Sequence, residues 1–414
     1  MRSVYKAGFH GAYTLPALLV LALLLLSGCS EEERAGPTAV IWIPKQVNAR
    51  PDTAPFTHQM ITDELTIPWQ LDFVPDGRIL ITERNGLVRV VRDGRLEETP
   101  WLDLRDSLRT TYGPTVGNSG LLGIALDPDF SANGYVYVGY SYGVPGEAYD
   151  YNRLVRYRED PASGLAAEGH ILLDKIKGRS MHNSGPIKFG PDGKLYWSVG
   201  DRGEPEKAQD PEDEAGTILR LNRDGSIPVD NPFPGSPVYA YGLRNTQGFD
   251  WHPDSGIMVA TDHGPSSEIA SFCCRDEINQ IEAGGNYGWP AIMGDEQSPG
   301  MSQPVLHSGS GISIEDHTWA PAGAAFIRSG PWKGSFLFAG LRSQRLWRLT
   351  GSDDQQSLEL RHLLHQEYGR IRSVAQAPSG KIYILTSNLD NSPQGSDRFS
   401  NDFLIEIIPE VAEN

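Results

Sequence analysis

One stretch, MHNSGPIKFGPDGKLYWSVGD at residues 181–201, carries a histidine near its start and an aspartate at its end. A histidine titrates near neutrality and can accept a proton from a substrate. A carboxylate on its second ring nitrogen fixes the tautomer and favours the imidazolium. Between the two, Gly190-Pro191-Asp192-Gly193 is a strong turn signal flanked by runs that alternate apolar and polar residues. A hairpin centred between Pro191 and Asp192 sets His182 and Asp201 equally far from that centre, at its open mouth. The spacing predicts a side-chain contact. It leaves open whether the pair is a base with its orienter or an ordinary polar strand end.

The same hairpin recurs along the chain. Phe73-Val74-Pro75-Asp76-Gly77, Leu126-Asp127-Pro128-Asp129-Phe130, Trp251-His252-Pro253-Asp254-Ser255-Gly256 and Gln376-Ala377-Pro378-Ser379-Gly380 each lead into an apolar strand. Gly334 to Gly340 is a degenerate copy. No strong amphipathic helix pattern lies between them. Repeated small antiparallel sheets predict an all-β chain folded as a six-bladed β-propeller of four-stranded blades; a sandwich pair or a β-helix fits the spacing less well. The turn arithmetic sets Arg244 opposite His263, Asn245 opposite Asp262, Arg370 opposite Ser387, Arg372 opposite Leu385 and Gly120 near Tyr142. His182, Asp201, Arg244, Asn245, His263, Arg370 and Arg372 should then share one mouth of the central channel. Ionisable groups converging on a concave site point to function, although a wet channel also selects polar strand ends.

Composition bounds the rest. Hydrophobic residues at 39% supply a core, while 45 glycines and 30 prolines suit short strands and tight turns. A formal charge of −17 argues against a nucleic-acid partner, which needs a basic face. Arg2 and Lys6 precede an apolar run from Tyr13 to Leu26 that ends in Leu26-Ser27-Gly28-Cys29. This reads as a secretory signal over residues 1–28, followed by a flexible tether at 29–56 and a propeller domain at 57–410. The Leu-Ser-Gly-Cys ending resembles the lipobox of bacterial lipoproteins, which implies a lipidated Cys29. Ser30 after it resembles lipoproteins of the outer membrane. The implied location is the bacterial cell envelope, facing the periplasm, with the membrane reached only through that lipid. A plain signal peptide or an uncleaved anchor is the alternative. Cys273 and Cys274 are adjacent, with Cα atoms about 3.8 Å apart, closer than a disulfide usually spans. A strained bridge and a reduced pair both stand.

Six blocks in order carry a resemblance: GNSGLLGIALDPDF (117–130), the 181–201 stretch, GTILRLNRDGSIPVDNPF (216–233), VYAYGLRNTQGFDWHP (238–253), DEINQIEAGGNYGWP (276–290) and GRIRSVAQAPSG (369–380). From about Leu65 to Ile408 the chain resembles the soluble aldose and glucose dehydrogenases that depend on pyrroloquinoline quinone (PQQ), the glucose/sorbosone dehydrogenase family of six-bladed propellers. The resemblance implies that His182 removes the proton from the sugar's C1 hydroxyl while Asp201 holds its other nitrogen. Hydride then passes from C1 to PQQ, leaving a lactone. It implies that Arg244, with Asn245 beside it, faces the charge that develops on the quinone oxygen. Arg370 and Arg372 would grip PQQ carboxylates. The backbone carbonyls of Gly264 and Pro265 would hold a calcium ion, Ca2+, that polarises the quinone. A structural calcium is implied around Glu277 and Tyr287, with the Asp295 region as a further contributor.

The chain also departs from that pattern. Asn118 stands where the glucose enzymes have a glutamine on PQQ, and Arg342 where they have a lysine. An extra stretch, Ile269 to Arg275, brings Cys273-Cys274 directly after the calcium loop, where it either overhangs the cofactor or simply closes a loop. The long insert on the sugar side is missing before Trp319, so the expected substrate is a broad class of aldoses. The electron acceptor, a quinone or a cytochrome, is not specified. Two other readings stand beside the dehydrogenase. One is a calcium-dependent propeller lactonase, whose metal needs carboxylate or asparagine ligands in place of this arginine-rich mouth. The other is a non-catalytic propeller that binds a sugar or a protein.

Overall fold

The computed structural model describes residues 45–46, 49–108, 118–265, 273–311, 318–351, 358–390 and 399–411, so Cys29 and the predicted signal lie outside it. Six antiparallel sheets follow one another as blades of a propeller, as the repeated turns predict. Their innermost strands are Pro68–Phe73, Leu121–Leu126, Ile187–Phe189, Thr246–Trp251, Pro321–Phe326 and Ile371–Gln376. Each of the six turns read from the sequence joins such a strand to the next one out. The last blade closes the ring by taking its outer strand, Phe56–Leu65, from the start of the domain against Asp402–Pro409.

The core is not one mass but six wedges. Each apolar cluster spans two neighbouring blades, as with Trp101, Ile124 and Val138 between the first and second blades. The other five fill the remaining junctions. Near the axis the inner strands come too close for side chains. A Cβ on Gly123 would lie 2.0 Å from the Gly185 carbonyl oxygen, and one on Gly248 would lie 2.3 Å from that of Ala322. These glycines are required by close approach of backbones.

Two features depart from the sequence reading. Part of the segment read as a flexible tether is structured: Lys45–Gln46 pairs with Leu306–His307 on the fourth blade, and Arg50–Pro51 with Arg361–His362 on the fifth. A partly buried ion pair from Asp52 to Arg348, 2.5 Å, fastens this second contact. The second departure is a β-bulge near the mouth end of five inner strands, all but the third. A bulge inserts one residue, re-aims its neighbours and shifts every later pairing by one. Here it turns Gln70, Gln247 and Arg372 onto the wall of a central cavity that Trp69 and Lys188 also line.

Candidate active site

The hairpin of the third blade is centred on Asp192 itself, since Ile187 pairs with Trp197 and Phe189 with Leu195. The residue facing His182 is therefore Arg202, whose amide donates to the His182 carbonyl at 3.3 Å. Asp201 still meets the histidine. His182 and Ser184 have positive φ values of 53° and 50°, so the chain leaves the ladder and turns the imidazole back. Its Nδ1 lies 2.6 Å from Asp201 Oδ1. The Asp201 carboxylate also accepts the Gly203 amide on Oδ1 and the indole N–H of Trp289 on Oδ2, both at 2.8 Å. Burial pushes Asp201 up, but the His182 hydrogen bond and the charges of His182 and Arg244 outweigh it and hold the carboxyl below its ordinary range.

Neighbouring chain segments lock this corner. Asn118 Oδ1 accepts the His182 amide at 3.3 Å, and Ser184 Oγ donates to Asn245 Oδ1 at 3.2 Å. The predicted pairing of Asn245 with Asp262 is also one residue off, because Thr246 faces Asp262 in the ladder. The Asp262 carboxylate nevertheless accepts the amides of Arg244 and Asn245, at 2.9 and 2.8 Å. Burial raises Asp262 to about 6 against these bonds. Arg244 is buried with its guanidinium 5.5 Å from the ring centre of Trp289.

The second part of the site is cationic. Arg370 faces Ser387 as expected, donating from Nε to the Ser387 carbonyl at 3.2 Å, whereas Leu385 pairs with Ser373 because Arg372 sits in the bulge. Arg372 donates to Gln247 Oε1 at 2.6 Å and stacks 3.9 Å from the ring centre of Trp69. Sequence reasoning missed Arg84, which is fully buried and donates from Nη1 to Asp390 at 3.0 Å. The first blade's turn carried the signal, since Arg84 directly follows the second strand, Ile79–Glu83, at the same mouth and its amide donates to the Ile67 carbonyl. Arg370 and Arg372 approach the same Asp390 at 3.8 and 3.6 Å. Three buried guanidiniums thus share one carboxylate. Burial pushes all three down, Arg372 to about 9, and the neighbouring arginine charges push Arg370 and Arg372 further. Arg342, half-buried, adds its charge to Arg370.

His263 lies between the two parts. It is held well below its ordinary range by burial and by the charges of Arg244, Arg372 and His182. Among the described residues, Arg84 Nη2, Arg372 Nε and His263 Nε2 are buried without a hydrogen-bond partner. Uncompensated buried cations with orphaned donors are costly unless an anion completes them. The site therefore fits a compact ligand with several carboxylates, which is the chemistry of PQQ.

The expected metal ligands divide. Gly264 follows His263 into the mouth, and its amide donates to Asp276 at 3.0 Å. A Cβ there would overlap the Cys274 carbonyl, so this backbone lies directly against the buried Cys273–Cys274 disulfide. Asp276 also accepts from Thr318, Trp319 and Ala320, which leaves Gly264 and Pro265 to offer backbone carbonyls alone. Glu277 and Tyr287 are not drawn together through their side chains. Glu277 accepts the Gly294 amide and Asn279, while the Tyr287 hydroxyl donates to the Gln280 carbonyl. Burial raises Glu277 to about 8, and Asp262 and Asp276 add to it. Asp295 is exposed and pairs with His307 at 2.9 Å. Among the described residues no group of three or more His, Cys, Asp or Glu side chains could hold a metal.

Residues 65–393 match the family described as "Glucose / Sorbosone dehydrogenase". The chain is 30% identical over 320 residues to the quinoprotein glucose dehydrogenase B of Acinetobacter calcoaceticus, covering 70% of this chain and 64% of that one. It is 28% identical over 348 residues to an aldose sugar dehydrogenase of Escherichia coli, covering 79% and 89%. Among solved structures, the PQQ-bound aldose sugar dehydrogenase of Streptomyces coelicolor shares 32% identity with a TM-score of 0.70, over 87% of this chain and all of that one.

Proposed function

The chain belongs to the glucose/sorbosone dehydrogenase family, and from that premise we propose that it oxidises aldose sugars at C1 to lactones with PQQ and calcium. The observation that carries this reading is the juxtaposition of a locked His182–Asp201 pair with a buried surplus of arginine charge. When bound, PQQ supplies the two-electron acceptor, and calcium on the Gly264 and Pro265 carbonyls would polarise it.

The chain's own residues do the rest. His182 presents Nε2 as the proton acceptor, because Nδ1 is committed to Asp201. Asp201 holds that tautomer and stabilises the imidazolium as the C1 hydroxyl proton arrives. Arg244, with Asn245 beside it, offers positive charge where negative charge grows. Arg84, Arg370 and Arg372 would hold the cofactor's carboxylates, with Asn118 and Arg342 as further polar contacts. The arginine-rich mouth is poorly suited to a lactonase metal, and an intact base–orienter pair is superfluous in a pure binding module.

The test is reconstitution. Cofactor-free protein given PQQ and calcium should reduce a dye with one or more of a panel of aldoses, and chelation before loading should abolish it. Absence of PQQ-dependent turnover with every sugar would overturn the proposal. The N-terminal pattern further supports export and lipidation at Cys29; incorporation of labelled fatty acid, lost in Cys29→Ala, checks that reading.

A further inference from the structure

We propose that Trp289 is a positioning residue for the base and for Arg244 at once; the inference rests on the dehydrogenase reading above. Its indole Nε1–H donates to Asp201 Oδ2 at 2.8 Å, and the guanidinium of Arg244 lies 5.5 Å from the centre of its ring. One side chain therefore touches both the orienter of His182 and the cation aimed at the developing charge.

The bond matters because of how the Asp201 carboxylate is shared. Oδ1 takes both His182 Nδ1 and the Gly203 amide, and Oδ2 takes the indole. With Oδ2 released, the carboxylate can rotate about its Cβ–Cγ bond and carry the imidazole with it. Asp201 and Trp289 are 1% and 4% exposed, so bulk water is poorly placed to replace the lost donor. Small misplacements of a base are expensive in rate.

Trp289 is itself held from two directions. Its amide donates to the Gly242 carbonyl at 2.9 Å, and its carbonyl accepts Gln209 Nε2 at 2.7 Å. Gln209 closes a reciprocal amide pair with Asn286, at 3.1 and 3.0 Å. Gly242 has a φ of 75°, and a Cβ there would lie 2.2 Å from Asn286 Oδ1, so this loop packs only around glycine. The connection beyond Glu277–Ile281, the fourth blade's third strand, is thus built rigidly enough to aim an indole into the third blade's mouth.

The experiment replaces residue 289 in the full chain by benzothienylalanine, which keeps the bicyclic ring and removes the N–H, and separately by Phe. With PQQ and calcium bound, we expect kcat to fall about 10- to 100-fold for the first, with KM and PQQ affinity within about twofold of wild type. Trp289→Phe should fall further, since its smaller ring supports Arg244 less well. A second readout needs neither cofactor nor turnover: the low-field proton resonance of the His182–Asp201 bond should shift or broaden in both variants. Trp332→Phe is the control, a buried indole whose N–H has no partner among the described residues; it should leave kcat and that resonance unchanged. The proposal is overturned if kcat stays within about twofold and the resonance does not move. Loss of kcat matched by equal loss of PQQ affinity and melting temperature would equally overturn it, as a merely structural role. Should the wild type oxidise no sugar, the proposed function fails, and the resonance still decides whether the indole holds Asp201.

Discussion

The two halves of the central channel handle buried charge in opposite ways. On the far half, Asp250 accepts Arg328 at 2.8 and 2.9 Å and lies 3.7 Å from Lys188, whose ammonium also donates to the Ala324 carbonyl at 2.8 Å. Asp72 spends its carboxylate on the amides of Leu126 and Phe73. Both cations pair with Asp250, Asp72 adds its charge to Lys188, and both carboxylates also cap a neighbouring blade, since Phe326 donates to Asp250. At the mouth, three guanidiniums share Asp390, and among the described residues donors on Arg84 and Arg372 have no partner. Both halves are polar, but Arg328 on the far half is half exposed while the mouth arginines are buried. Only one is left incomplete by the protein itself, and incompleteness is what separates a binding site from a structural network.

The largest way to break this comparison is at the base. His182→Ala removes the proton acceptor and leaves the arginines untouched. Turnover should fall by about 10²–10⁴-fold while PQQ titration gives an unchanged affinity. A parallel loss of affinity would show that the two parts of the mouth are not separable. Next is Asp250→Asn on the far half, which takes the paired carboxylate from Lys188, while Arg328 is half exposed and stays hydrated. Chemical denaturation should show a loss of about 3 kcal/mol, with PQQ affinity of the folded protein unaltered.

Arg84→Met should do the reverse. PQQ affinity should weaken by roughly 10²-fold, or ~2–3 kcal/mol, while the cofactor-free protein melts no lower than wild type because one of three crowded cations is gone and Arg370 and Arg372 still share Asp390. A drop in cofactor-free stability with no change in affinity would assign Arg84 to structure. The smallest effect lies on the outer edge, at His362 beside Arg50–Pro51. Partial burial, then the charges of Arg345 and His365, hold its imidazole down at about 4 against an ordinary 6.5. A depressed value means the fold favours the neutral ring. The stability it brings is complete above 6.5 and lost as pH falls toward 4. His362→Gln should therefore flatten the fall in melting temperature between those pH values, with turnover at pH 7 unchanged; an equally steep fall would refute this.

The sequence carried the mouth further than its register. Turn residues placed His182 and Asp201 at one end of a hairpin, and they do meet, yet the ladder is offset by one and the contact depends on positive φ at His182. The same half-hairpin logic would have found Arg84, had the first blade been read as the others were. Arg372 could be placed at the mouth but not aimed, because a bulge has no reliable mark in one strand alone.

The chain itself determined that it would be all-β, where its hairpins turn, and which ionisable residues end the inner strands. Those properties are local, set by glycine, proline and aspartate in turns and by alternation along strands. Tertiary structure decided the rest. Trp289 reaches Asp201 across 88 positions of sequence, and Asp390 reaches Arg84 across 306, only because the ring closes and brings distant loops over one channel. No local pattern encodes such meetings, since each partner is ordinary in its own blade until the other arrives.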